Sequence, residues 1–174
     1  MKKVLLLVIF GLICFSCNFN KSKKGLYFDM SSYVENKSKW QNAELENYSF
    51  TYSVSTYRPE YIIGEVTVKN NACESAEIYI NDSDLESTPV TPSDKFYLNT
   101  IDAAFDFIYH EYEDASKVIE SKEYQYVEIV CEYDDIYGYP VLIRCLSSDG
   151  TEVYKKGLVG NSETMYSISL EFTN

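Results

Sequence analysis

The sequence predicts a single α+β domain: an antiparallel sheet of five or six strands with an amphipathic helix packed on one face, in the order α-βββ-α-βββ. Three patterns predict it. Residues Tyr48 to Val54 alternate apolar and polar without exception, as a half-buried strand does. Ile101, Ala104, Phe105, Ile108, Tyr109 and Tyr112 recur at helical spacing as one apolar stripe, with Asp102, Asp106, His110 and Glu113 on the wet side. Val127, Ile129, Cys131 and Tyr133 alternate, as do Val141, Ile143 and Cys145, around an Asp134 to Pro140 turn that reads as a hairpin. With 174 residues, 45% hydrophobic and 16% aromatic, the chain is long enough to bury one core and too apolar for wholesale disorder.

The N-terminus reads as an export signal. Lys2 and Lys3 precede an unbroken apolar run from Val4 to Phe15, too short to span a bilayer but of the length of a secretory signal. The run ends in Cys14, Phe15, Ser16 and Cys17, which resembles the lipobox of bacterial lipoprotein signals, a small residue before a cysteine that becomes the new N-terminus. Cys14 and Phe15 depart from the usual lipobox, whereas Ser16 and the polar residues after Cys17 fit it. Modification at Cys14 would need Ile13 at the small-residue position, and the plainer alternative is a signal peptide with incidental cysteines. The expectation is removal of residues 1–16 and lipidation of Cys17. Two acyl chains, at about 0.8 kcal/mol per buried methylene, anchor a protein stably where one does not. Residues 17–31, polar and Lys-rich, read as a tether with a reach of roughly 20 Å, followed by the domain over 32–174.

Within that domain, Ser32 to Glu35 has the form of a capping box, and good helix formers continue to about Leu45. After the Tyr48 strand, a second runs from Ile62 to Lys69. It turns at Asn70 and Asn71 into a third strand through Ala76, Ile78 and Ile80. Residues 81–99, with Pro89 and Pro92 among Asp, Ser and Thr, read as a long surface loop. The amphipathic helix follows, capped by Asn99 or Thr100, with Asp102 suited to its positive start. A hairpin centred on Gly138 would set Cys131 opposite Cys145, Tyr133 opposite Ile143, Glu132 opposite Arg144 and Val130 opposite Leu146. Met165 to Phe172 makes the final strand, and no internal repeat or second domain is visible.

Together these features resemble an uncharacterised family of bacterial exported proteins, many of them lipoproteins, classed as a domain of unknown function. The resemblance runs from Trp40 to about Ser147. It rests on Trp40 before a strand opening at Tyr48, the hairpin Val66 to Asn71, the helix Thr100 to Ile108, and Tyr133-Asp134-Asp135-Ile136-Tyr137-Gly138-Tyr139-Pro140. Asn71 stands where the hairpin would carry Gly, a replacement that Asn tolerates. The resemblance implies a fold and an exported location, and brings no activity, cofactor or catalytic residue.

Few constellations carry chemistry. With Cys14 removed and Cys17 modified, Cys73, Cys131 and Cys145 remain. An export compartment permits a Cys131–Cys145 disulfide, worth about 3 kcal/mol by loop entropy; two packed thiols are the alternative. His110 lacks a second His four residues on, since position 114 is Asp, so a zinc-protease helix is excluded. Asp82, Asp84 and Glu86 lack the glycine and the closing glutamate of a calcium loop. Asp134 and Asp135 could suggest a glycosidase, but among 27 acids some pair always qualifies. No catalytic, cofactor or metal site is expected.

The remaining surface feature is tyrosine. Tyr57, Tyr61, Tyr137 and Tyr139 flank predicted turns, and a flat apolar ring with a polar tip suits glycan or protein contacts. The competing reading folds Tyr137 and Tyr139 back over the hairpin. Net charge is −12, with five lysines against two acids in residues 17–39 and eight bases against 25 acids in residues 40–174. So acidic a domain is repelled by nucleic acid. The expectation is a membrane-anchored bacterial envelope lipoprotein that acts as a non-enzymatic binding or structural module toward an unidentified protein or glycan. An enzyme inhibitor using loop 81–99 is the first alternative, and an acid-only hydrolase the second.

Overall fold

The computed structural model describes residues 23–56, 61–81, 88–89, 98–149, 153–154, 157–158 and 162–171. In chain order the elements are β1 (Leu26–Phe28), α1 (Met30–Asn42), β2 (Tyr48–Thr56), β3 (Tyr61–Lys69), β4 (Ala72–Asn81), β5 (Thr88–Pro89), α2 (Ile101–Glu120), β6 (Tyr126–Tyr133), β7 (Pro140–Ser148), β8 (Val153–Tyr154), β9 (Gly157–Leu158) and β10 (Ser162–Glu171). Seven strands and the two-residue β5 form one sheet in the order β1-β6-β7-β10-β2-β3-β4-β5, while β8 and β9 pair only with each other.

This corrects the expected fold. The sheet is mixed and larger than five or six antiparallel strands, because β1 runs parallel to β6 at one edge, and two helices accompany it. β1 falls in the segment read as tether. Three residues, Leu26, Tyr27 and Phe28, are too few to show a period, and a parallel edge strand needs no turn to announce it. Lys23, also in that segment, is tied to Ser116 and Glu120 of α2.

Where periodicity was strong, it sets the packing. Tyr48, Phe50, Tyr52 and Val54 of β2 are all buried on one face, joined there by Val66 and Val68 of β3, Ile143 of β7, and Tyr166 and Ile168 of β10. The α2 stripe closes on them, with Ile101, Ala104, Phe105 and Ile108 fully buried. Thr100 caps that helix by accepting from the Ala103 N–H at 3.0 Å, and the Tyr48 hydroxyl accepts from the Ile101 N–H at 3.2 Å. Helix α1 starts three residues earlier than the capping-box reading: Asp29 caps it, accepting from the Ser32 N–H at 3.0 Å. It covers the same face through Tyr33, whose ring meets Phe105 edge-on at 5.9 Å, and Trp40, which meets Tyr48 edge-on at 5.3 Å.

The β3–β4 and β6–β7 hairpins have identifiable turn chemistry. Asn70 and Asn71 take φ of 50° and 61°, the left-handed pair a two-residue hairpin requires, so Asn replaces Gly without changing the turn. The β6–β7 hairpin differs from the expected register by two residues: Cys131 stands opposite Ile143, Cys145 opposite Ile129, and Val130 opposite Arg144. The turn is organised by Asp134 rather than centred on Gly138. Its carboxylate accepts the N–H groups of Ile136 and Tyr137 at 3.0 and 2.6 Å, and its carbonyl accepts that of Gly138 at 3.0 Å. A bulge between Glu132 and Tyr133 takes up the difference. A two-residue shift keeps every side chain on its face, so Val127, Ile129 and Ile143 are buried as their alternation predicts although the pairs differ, while Leu146 and Ser148 on the opposite face are buried as well.

Candidate functional site

Among the described residues, the two helices cover one face of the sheet and no element covers the other over β10, β2, β3 and β4. On that face the off-beat residues of each strand line up in cross-strand rows. Ser169, Thr51, Glu65 and Glu77 form one row, each opposite the next, and Glu171, Ser49, Thr67 and Ser75 form the adjacent one. Six of these eight are exposed, Ser49 and Thr67 half-buried. Several of them border a shallow depression of about 200 Å³. The Ser49 and Thr67 hydroxyls lie 3.4 Å apart. Glu65 directly faces Glu77, a repulsive pairing in a ladder, and Tyr79 donates its hydroxyl to Glu77. That acceptor raises the Tyr79 pKa above its ordinary value. The result is a flat, polar, anionic surface with hydroxyl groups in register, suited to hydrogen bonding with a sugar or a polar protein face.

The residues singled out in the sequence are dispersed. Cys17 and Tyr57 lie outside the described residues, as do Asp82, Asp84 and Glu86. Tyr61 opens β3 opposite Ser55. Tyr137 and Tyr139 are half-buried against the core on the helix side. The Tyr139 ring lies 6.4 Å from Trp40, and its hydroxyl accepts the Leu170 N–H. The exposed tyrosine that sequence reasoning missed is Tyr27 on β1, 53% accessible and 5.0 Å from the Tyr126 ring. Its signal was hidden by the tether reading, whereas the open face itself was legible as the polar positions of the alternating strands. His110 is exposed, with Nδ1 3.6 Å from a Glu113 oxygen, and no group of three metal-ligating side chains occurs among the described residues. Asp134 is engaged in its turn, and the Asp135 carbonyl accepts Lys39.

The register change also separates the two cysteines expected to bridge. Cys131 and Cys145 are free thiols on the core face, one pairing step apart. Burial pushes the Cys131 thiol up from the ordinary 9.0 to about 12 and raises Cys145 as well. Two results are expected. At neutral pH native protein should react with iodoacetamide at these positions far more slowly than unfolded protein, and its melting temperature should not move with reductant. Because the folded thiol holds its proton longer than the unfolded one, stability should fall as pH rises from about 9 to about 12, not on acidification. A melting temperature lowered by reductant would restore the disulfide.

The profile of a family described as one of unknown function (DUF6174) matches residues 32–149, more than half of the chain. The chain belongs to that family. The DUF6174 match takes in α1, the Tyr48 strand, the Asn-Asn hairpin, α2 and the Asp134 turn, and stops before β10. The open face of this DUF6174 protein is therefore built partly outside the matched span, since Ser169 and Glu171 come from β10. No curated protein and no solved structure matches the chain.

Proposed function

We propose that this protein is a lipid-anchored binding module of the bacterial cell envelope, held by Cys17 and presenting its open sheet face to a protein or glycan. The uncovered face carries this reading. A sheet that buries one side under two helices and lines the other with in-register hydroxyls and carboxylates offers contacts without enclosing a substrate. The position of Cys17 supports the anchor. Only five residues separate it from Lys23, where the described fold begins, a span of at most about 22 Å when extended. The module acts by contact rather than by turnover.

Both halves are testable. Bacteria fed an alkyne-bearing fatty acid should label the wild-type chain and leave Cys17→Ala unlabelled; label on the variant overturns the anchor. Thr51→Arg combined with Ser75→Arg changes two exposed side chains that do not face each other and should leave the melting temperature in place. The pair should reduce retention of envelope glycan or protein by roughly tenfold, as a blocked interface centre does. Unchanged retention removes the open face as the contact surface.

A further inference from the structure

Tyr27 projects an exposed ring from β1, the outer strand at one end of the sheet, beside the ring of Tyr126 on β6. The residues that lead into β1 lie along the end of α2. Lys23 is tied to Ser116 and Glu120, and Gly25 lies against Ile119 and the Gln125 carbonyl. This sets Lys24 beside the 121–125 loop, which holds Lys122. Both lysines are exposed, and among the described residues their ammonium groups have no partner. Most acids nearby are engaged: Glu120 with Lys23, Asp114 with Lys117, Asp29 as the α1 cap, and Glu128 with the Tyr126 hydroxyl. Among the described residues that leaves Glu123 in the same loop against two unpaired lysines.

The length of chain before Lys23 limits what this edge can face. With a lipid on Cys17, Lys23 stays within about 22 Å of the bilayer surface. β4 is six strand spacings from β1, roughly 29 Å at the usual ladder distance. A domain standing on β4 would lift Lys23 beyond that reach. One lying on its open face would press Glu65, Glu77 and Glu171 onto anionic headgroups, and one lying on α2 would do the same with Asp102, Asp106 and Asp114. The β1 edge is within reach and brings unpaired lysines instead.

We propose that the domain docks edge-on to the bilayer, with the Tyr27 ring at headgroup level, Lys24 and Lys122 against lipid phosphates, and β4 pointing away. A tyrosine ring has an apolar body and a polar tip, which suits that boundary, and lysines extend from it to the phosphates. The pose rests on the anchor at Cys17 proposed above. It holds the hydroxyl and carboxylate rows of β3 and β4 clear of lipid, where a partner can reach them.

The test uses the full chain expressed in bacteria with isotopic label and purified from their membranes. It is placed in nanodiscs of phosphatidylcholine and phosphatidylglycerol that contain a headgroup-nitroxide lipid, which broadens the NMR signals of nearby amides. Signals of Lys24, Tyr27 and Lys122 should lose several-fold more intensity than those of Glu65 and Glu77. Tyr27→Ser changes one exposed side chain, so its melting temperature should hold while the Lys122 signal recovers several-fold. A domain tumbling on its tether would give the same broadening in both proteins. Broadening at Lys122 unchanged in folded Tyr27→Ser, or as strong at Glu65 and Glu77 as at the β1 edge, overturns the docking and leaves the anchor in place. A chain that fails to float with vesicles of the same lipids overturns the anchor and the docking with it.

Discussion

Phe105→Ala should lower the stability of the domain by about 3 to 5 kcal/mol, the range for deleting a buried phenyl ring, and so remove a large share of the 5 to 15 kcal/mol typical of a folded domain. Phe105 is fully buried on α2 and is the point at which three elements, α1, α2 and β6, meet. It stacks on Tyr133 of β6 at 6.2 Å with an 11° tilt, takes the edge of Tyr33 from α1, and contributes its carbonyl to the Tyr33 hydroxyl at 3.4 Å. The cavity cannot close by a single rotation, because its walls belong to separate elements. Denaturant unfolding should show the midpoint falling with an unchanged slope. A loss below about 1 kcal/mol would mean that the helices and the sheet repack independently of this ring.

Gly64→Ala should cost about 3 kcal/mol, at the upper end for an overpacked core, although it adds one methyl group. Gly64 sits in β3 directly opposite Tyr52, and its backbone is not in the left-handed region. The constraint is space. A Cβ here would overlap Cε1 and Cζ of Tyr52 and come within 2.7 Å of its hydroxyl oxygen. Tyr52 cannot retreat, since it is 2% exposed and its hydroxyl accepts the Leu98 N–H at 3.4 Å ahead of α2. The strand glycine is thus the slot into which an aromatic ring from the neighbouring strand lies flat. Adding Tyr52→Leu to Gly64→Ala should recover part of the loss, giving a favourable coupling in the double-mutant cycle. Strict additivity of the two changes would place the damage elsewhere.

What the sequence made legible was local and periodic. The stripe of α2 and the alternation of β2 announced their buried faces, because a period of 3.6 or 2 sustained over several turns or pairs has no other cheap explanation. The Asn70-Asn71 turn was legible because few residues accept a left-handed backbone. The β6–β7 register was missed by two residues because an aspartate side chain can bind the backbone ahead of it and move a turn away from its glycine. β1 was missed because three residues show no period, and its loss hid Tyr27. The parallel pairing of β1 and the adjacency of β10 to β2 are contacts across more than 90 residues, about which local pattern is silent.

β10 occupies the middle of the sheet, between β7 and β2, yet it is the last of the described strands in chain order. Until residues 162–171 have emerged from the ribosome, β2 to β4 and β6 to β7 can only be two partial sheets. Each then has an unpaired edge where β10 belongs, and such edges invite pairing with other chains. Vectorial synthesis therefore cannot complete this fold segment by segment, and closure waits on a contact of very high sequence separation. A chain that stalls or is clipped before residue 162 is divided through its centre, exposing two sticky ladders at once. Quality control in the cell would meet this protein as a late, single-step folder whose vulnerable period is set by the time its C-terminal strand takes to arrive.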